Sequence, residues 1–338
     1  VEGVLQNLPP GGHAAVLRLR SLGDCVLTTP ALEILKRARP DLRLAVMVED
    51  RFRAIFEGNP DIDDLLPARL GALRGFRPDL CLNLHGGARS AWLTAASGAR
   101  WRAGFGHFRH SCVYNVRIPR AQQILGEERK VHTAEHLASA IFYLGAERVD
   151  IPRARLYADN GGAEPLVCPG TPGPAVRARD QIPASLNWPA GGPASRPGDL
   201  PHYAVIHPVA AAPEKTWPAD RFVAVAEHLR QIGTEPVFIG AASDDLSPFR
   251  AFLTICGDPL AEIKSLLSGA SLFIGNDSGP AHMAAASGLP VVVLFGASDP
   301  VIWGPWRTAS ETITSPGGIS QITTARVIEA LARLRVHA

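Results

Sequence analysis

Cysteine is scarce and scattered in this chain of 338 residues: Cys25, Cys81, Cys112, Cys168 and Cys256 are odd in number, and none forms a C-x-x-C pair. A disulfide framework or a structural zinc site is therefore not expected, and a reducing, cytoplasmic setting is. Long apolar runs are missing too. None approaches the ~20 residues of a membrane span, and the amino-terminal stretch lacks the apolar core of a signal peptide. Neither absence argues against work at a membrane surface. Charge of one sign is lacking: 34 Lys and Arg face 32 Asp and Glu, a net +2. That is short of the basic stripe that nucleic-acid binding requires, so no nucleic-acid partner is expected. No G-x-G-x-x-G follows the first apolar run, and neither G-x-S-x-G nor H-E-x-x-H occurs. These gaps count against a dinucleotide oxidoreductase, an α/β-hydrolase and a zinc protease. The "DID" at 61–63 matches the D-x-D pair that holds a metal–nucleotide in some glycosyltransferases. It sits between "EGNP" and "DLL", however, and reads as a polar turn before a strand. No metal or cofactor is expected.

What is present is apolar content of 46%, enough for full cores, in a length that suggests about two domains. Short apolar runs alternate with helical patterns: strand "AAVLRLR" (14–20), helix 25–40 ended by Pro40, strand 42–50, strand "DLLP", strand 79–85, then a small-residue helix to about Ser97. Residues 159–201 break this rhythm with dense Pro and Gly and read as a linker or insertion. The alternation then resumes from "YAVIHP" to the last helical pattern, "ITTARVIEALARLRV". Alternation of this kind implies parallel, doubly wound sheets. The expected domains are thus 1–158, the linker 159–201, and 202–338, with the last helix free to pack back on the first domain.

Ligands of such sheets bind outside the carboxyl ends of the strands, and three loops there carry unusual chemistry. In "RLRSLGDCVLTTPAL" (18–32), Gly23 permits a sharp turn and Asp24 stands at a helix start, as a cap or as a base toward an attacking hydroxyl. In "HPVAAAPEKTWPADRF" (207–222), Lys215 precedes a helix expected after Pro218, as a solvated side chain or as a counter-charge for a diphosphate. Trp217 reads as a packing residue. In "FIGNDSGPAH", Asp277 or Ser278 could simply cap the helix that Pro280 begins. Alternatively Gly279 admits a ligand to the free N–H groups of that terminus, and the Ser278 hydroxyl adds a donor.

Together the strings "LRLRSLGDCVLTTPALEILKRARP", "DLCLNLHGGARSA", "HPVAAAPEKTWPADRFVAVAEHL" and "IGNDSGPAHMAAASGLPVVVLFGASDP" resemble the ADP-heptose:lipopolysaccharide heptosyltransferases, glycosyltransferase family 9. That resemblance implies an α/β GT-B fold, two Rossmann-like doubly wound domains facing each other across a cleft. It implies an inverting, metal-independent transferase that moves heptose from ADP-heptose, a substrate rather than a cofactor, to a hydroxyl of a lipopolysaccharide inner-core sugar. The enzyme would be cytoplasmic, meeting its acceptor at the inner membrane surface. Asp24 takes the place of the family's catalytic base and Lys215 that of the lysine on the donor diphosphate. Asp277, Ser278, Gly279, Pro280 and His282 fall in the donor segment. On the acceptor side, Gly23, His85, Arg89, Arg102 and Arg109 are candidates by location and charge. Ala210, Ala211 and Ala212 stand where some members carry hydroxyl residues, so backbone N–H groups would have to serve the phosphates. The alternatives are a family-9 enzyme with another nucleotide-sugar or acceptor (a natural product or a protein), a GT-B-like nucleotide-sugar epimerase, and a non-catalytic nucleotide- or glycan-binding protein.

Overall fold

The computed structural model of the protein describes residues 3–157, 202–210 and 212–335. The Pro/Gly segment 159–201 and Ala211 lie outside the described residues. The chain divides into two compact units, one formed by 1–157 with 301–307 and the other by 158–300 with 308–338.

The first unit holds strands β1 (His13–Leu17), β2 (Arg43–Val48), β3 (Asp64–Pro67), β4 (Leu80–Asn83), β5 (Trp101–Phe105) and β6 (Val116–Ile118). They pair in the order β3-β2-β1-β4-β5-β6, with every pair parallel. Helices are α1 (Leu22–Ala38), α2 (Leu70–Phe76), α3 (Ala88–Ala96), α4 (Ala121–Leu125) and α5 (Thr133–Tyr143). The strands read as unbroken apolar runs because a parallel sheet is covered on both faces. On one face Ala15, Leu17, Ala45, Met47 and Cys81 pack with Leu73 and Phe76 of α2 and Leu93 of α3. Each large side chain so buried contributes roughly 1.5–3 kcal/mol. Helix α1 contains Pro30, whose missing N–H would orphan the carbonyl of Val26. The Thr29 hydroxyl donates to that carbonyl at 2.9 Å, and the helix continues to Ala38. It begins three residues earlier than the sequence pattern indicates.

The second unit repeats the plan. Strands β7 (Tyr203–His207), β8 (Glu235–Gly240), β9 (Leu253–Cys256), β10 (Leu272–Asn276), β11 (Val291–Leu294) and β12 (Ser310–Ile313) lie in the order β12-β11-β10-β7-β8-β9, again all parallel. Its described helices include α6 (Ala219–Gln231), α7 (Leu260–Gly269), α8 (Gly279–Ser287), the short α9 (Pro300–Trp303), which leaves this unit for the first after Pro300, and α10 (Thr324–Arg335). The last of these buries Val327, Ala330, Leu331 and Leu334 at helical spacing in the core of this unit, beside Phe222, Ile313 and Ile322. So α10 packs at home, and the segment that groups with the first unit is instead 301–307. The α/β class with two Rossmann-like doubly wound domains is borne out.

In each sheet the strand order reverses once, between β1 and β4 and between β7 and β10. At such a switch point the two flanking loops part and leave a crevice at the carboxyl ends of the strands. The "DID" stretch lies at neither. Asp63 accepts from Lys36 Nζ at 2.7 Å and from the Leu44 N–H at 2.7 Å, and β3 follows at Asp64. It is the polar turn its context indicated.

Candidate active site

A cavity of about 830 Å³ opens at the first switch point. Arg18, Arg20, Ser21 and Asp24 line it from the β1–α1 loop, and Leu84 and His85 from the end of β4. His107 and Phe108 come from beyond β5, Arg120 and Gln122 from beyond β6, and Thr133, His136 and Leu137 from α5.

Ser21, not Asp24, occupies the N-cap position of α1, and its hydroxyl donates to Asp24 Oδ2 at 2.9 Å. Asp24 Oδ1 lies 3.5 Å from Arg18 Nη1. Arg18 is only 4% exposed, so its charge needs partners nearby. Besides the carboxylate it has Thr28, whose Oγ1 accepts from Arg18 Nε at 3.1 Å and donates to the Asp24 carbonyl at 2.7 Å. Asp24 is thus held by three neighbours while its carboxylate borders the cavity. Gly23 does not make the sharp turn its type suggests: it is buried as the second residue of α1, and the connecting loop is 18–21.

His85 is oriented by a carbonyl. Its Nδ1 lies 3.0 Å from the Arg20 oxygen, which can only accept, so Nδ1 carries the proton and Nε2 keeps a lone pair. Burial, then the Arg18 charge, holds its pKa below the ordinary imidazole value. His136 stacks on Phe105, ring centroids 4.0 Å apart. Burial, then His107 and Arg18, pushes it down to about 4. His107 is lowered by burial and by Arg120. At neutral pH the cavity therefore carries neutral imidazoles among three guanidinium groups and one carboxylate.

The other acceptor-side candidates lie elsewhere. Arg102 donates to the carbonyls of Val113 and Ala99, and Arg89 to Ala68 O, with Glu49 3.4 Å away. Both are spent on local structure, and Arg109 is an exposed residue that does not line the cavity. Sequence reasoning passed over Arg18, Arg120, His107 and His136, which share no local spacing and meet only through the sheet.

At the second switch point the loop after β7 and the loop after β10 are joined by Asn276, which is fully buried. Its amide donates to Pro208 O at 2.8 Å, and its oxygen accepts from the Trp217 N–H at 3.1 Å. Trp217, 1% exposed, packs on Phe222 and donates to Ile322 O, a packing residue as expected. A side chain at Gly296 would collide with the Glu214 carbonyl, so glycine there lets residues 213–215 lie against the end of β11. Lys215 is held at that point, its Nζ 3.5 Å from Asp277 Oδ2.

Helix α8 begins at Gly279 with Pro280 in its first turn, and Gly288 closes it at φ +86°. Ser278 sits at the N-cap, yet its side chain caps nothing. Its Oγ lies 3.1 Å from Nδ1 of His207 instead. His207 ends β7 and is pushed down to about 4 by burial. His282 is buried one turn into α8. The structure thus gathers Lys215, Asp277, Ser278, Gly279 and Pro280 around one helix terminus, where N–H groups and dipole favour an anion. No group of three or more His, Cys, Asp or Glu placed to hold a metal ion occurs among the described residues. No helix there is long and apolar enough to cross a membrane.

Comparison with known proteins bears out the resemblance carried by the motifs. The family model described as glycosyltransferase family 9 (heptosyltransferase) matches residues 178–323. Lipopolysaccharide heptosyltransferase 3 of Escherichia coli K12 is 27% identical over 317 residues, covering 85% of this chain and 83% of that protein. Among solved structures, the glycosyl transferase family 9 protein of Veillonella parvula superposes with a TM-score of 0.78 at 23% identity, covering 98% of this chain and all of that one. The Escherichia coli heptosyltransferase WaaC, solved with ADP, superposes at 0.71 and 18% identity, covering 95% and 99%.

Proposed function

We propose that this chain, which resembles glycosyltransferase family 9 in its motifs, relatives and fold, is an inverting heptosyltransferase. It moves heptose from ADP-heptose to a hydroxyl of a lipopolysaccharide inner-core sugar, in the cytoplasm, with the acceptor presented at the inner membrane surface. The observation that carries this reading is the Asp24 carboxylate, held at the wall of a switch-point cavity by Ser21 and by Arg18, which Thr28 in turn braces.

In this mechanism Asp24 takes the proton of the acceptor hydroxyl as that oxygen attacks the anomeric carbon. Attack comes from the face opposite the nucleotide, so the carbon–oxygen bond to ADP breaks as the new glycosidic bond forms and the configuration inverts. Negative charge grows on the departing diphosphate. Lys215 and the N–H groups at the start of α8 meet it, fixed charges of the kind that usually contribute most to such steps. Asp277, within reach of Lys215, keeps that ammonium in place and accepts from sugar hydroxyls. These groups serve where D-x-D enzymes use a divalent cation. Arg18, Arg20 and Arg120 suit an acceptor that bears carboxylate or phosphate.

The test is Asp24→Asn, which keeps the shape of the side chain and removes the base. Transfer should fall by about 10²–10⁴-fold, the usual span of a general base, while ADP affinity stays within a few-fold. Near wild-type transfer would leave Asp24 as a residue that only braces the β1–α1 loop. Activity should also survive EDTA, and loss on chelation restored by magnesium or manganese would overturn the role given to Lys215 and α8.

A further inference from the structure

Between two stretches of the second unit, residues 301–307 group with the first. Four contacts from inside that unit hold them. The Thr133 hydroxyl donates to Ile302 O at 3.0 Å, and His132 Nε2 to Gly304 O at 2.8 Å. The His132 ring stacks on Trp306 with centroids 4.7 Å apart, and Trp306 Nε1 donates to Pro152 O at 2.8 Å. His132 is 7% exposed and Thr133 is 8% exposed, so these bonds are sheltered from water and hold position well.

The tautomer of His132 is consistent with this clamp. Nδ1 accepts the Ala134 N–H at 3.1 Å, capping α5, which leaves Nε2 to carry the proton toward Gly304. One neutral imidazole therefore serves a helix terminus and the strap together.

What the strap brings to the first unit is a wall. Ile302 and Trp303 line the same cavity as Asp24 and His85. The rest of that lining is rich in guanidinium, imidazole and hydroxyl groups, suited to the oxygens of a glycan. A pyranose also has a face of C–H bonds, which needs a flat apolar surface. Binding pockets pair such surfaces with a few placed polar groups. Trp303 supplies the largest ring in the cavity, and Phe108 the other that cannot take up a proton.

We infer that Trp303, carried into the cavity by the clamped strap 301–307, is the platform on which an acceptor sugar ring stacks, and that it sets selectivity for the acceptor. This rests on the transferase reading above. Trp303 is a specificity residue here, not a group that moves a proton.

The experiment measures transfer from ADP-heptose to a deacylated, heptose-truncated lipopolysaccharide core oligosaccharide by wild type, Trp303→Ala and Trp303→Phe. ADP binding is measured by calorimetry, and thermal unfolding checks each fold. Removing the ring should raise KM for the oligosaccharide about tenfold or more, the scale of an aromatic contact with its buried area. ADP affinity should not change, and Trp303→Phe should recover most of the KM. A merely structural role for the ring would lower folding stability and kcat without that split. A folded Trp303→Ala with KM within twofold of wild type overturns the inference alone. Wild type that binds ADP-heptose yet transfers nothing to the oligosaccharide overturns the acceptor reading, and the inference with it.

Discussion

Asn83 ends β4 and Asn276 ends β10, each at the switch point of its sheet and each fully buried, yet the two amides hold different things. Asn83 donates to Ser90 Oγ and the Tyr114 hydroxyl and accepts from the N–H groups of His85 and Gly86. It folds its own loop back and presents His85 to the cavity. Asn276 reaches across to the loop after the neighbouring strand, binding Pro208 and Trp217, and so fixes the segment that carries Lys215. One device positions an uncharged acceptor beside Asp24, and the other positions a cation beside a helix terminus. On the proposed function, the same strand order serves the attacking hydroxyl in one unit and the departing anion in the other.

Charge follows the same division. Residues 1–157 with 301–307 hold 23 Lys and Arg against 16 Asp and Glu, whereas 202–300 with 308–338 hold 8 against 12. On the proposed function, anion binding in the second unit would therefore rest on Lys215 and backbone N–H groups at one point, not on a general field.

The largest expected effect tests whether two desolvated imidazoles, one half-buried and one buried, behave alike. His136 in the first unit and His207 in the second are both pushed down to about 4 by burial. A group with its folded pKa depressed binds more protons when unfolded. Its contribution is therefore fully present above ~6.5 and is lost as pH falls from there toward ~4, on the order of 3 kcal/mol for each ring. Urea midpoints at pH 7 and pH 4.5 should show that loss. His136→Phe and His207→Gln should each flatten part of the pH dependence, with His85, His107 and His132 keeping a remainder in the same window, and an unchanged slope in either would remove that ring from the account.

A smaller effect separates the two asparagines. Asn276→Ala strands the Trp217 N–H and the Pro208 carbonyl in a dry place, at about 1–3 kcal/mol per orphaned group. It should weaken ADP binding through Lys215 and leave KM for the acceptor alone. Asn83→Ala should do the reverse, through His85. Calorimetry with ADP and acceptor kinetics on both variants checks the crossing pattern, and equal effects on both ligands would mean the amides act only on stability.

Much of this was legible in the chain itself. Period and punctuation marked the alternation, and the loops carrying Asp24, Lys215 and Asp277 fell where strands end. The start of α6 at Ala219 follows the expectation from Pro218. Short β5, β6, β9 and β12 left no clear signal, because three to five residues show too little of a period to be distinguished from loop. The cavity arginines were less legible still. Arg89, Arg102 and Arg109 have the right charge, but direction is decided by carbonyl partners that only the folded chain supplies. Asn83 and Asn276 were visible as polar residues closing apolar runs, a signal that a reading centred on charge passes over.

The smallest effects sharpen the donor end. Lys215 addresses only phosphate, so Lys215→Ala should weaken ADP by about 1.5–3 kcal/mol, the range for a bond to a charged group, and leave adenosine nearly untouched. Ser278 is subtler, because its hydroxyl already has a partner in the buried ring of His207, 3.1 Å away. If that pairing persists in the complex, Ser278→Ala leaves one buried ring nitrogen without its bond. It then lowers folding stability by roughly 0.5–1.5 kcal/mol, with ADP affinity within threefold. If the hydroxyl turns to the diphosphate instead, the same substitution weakens ADP by a charge-assisted bond, and adenosine again reports no change. Calorimetric titration of both ligands, paired with urea unfolding of the same variant, distinguishes the two. A stability loss without an affinity loss would assign Ser278 to His207 and leave the anion to Lys215 and the N–H groups of α8.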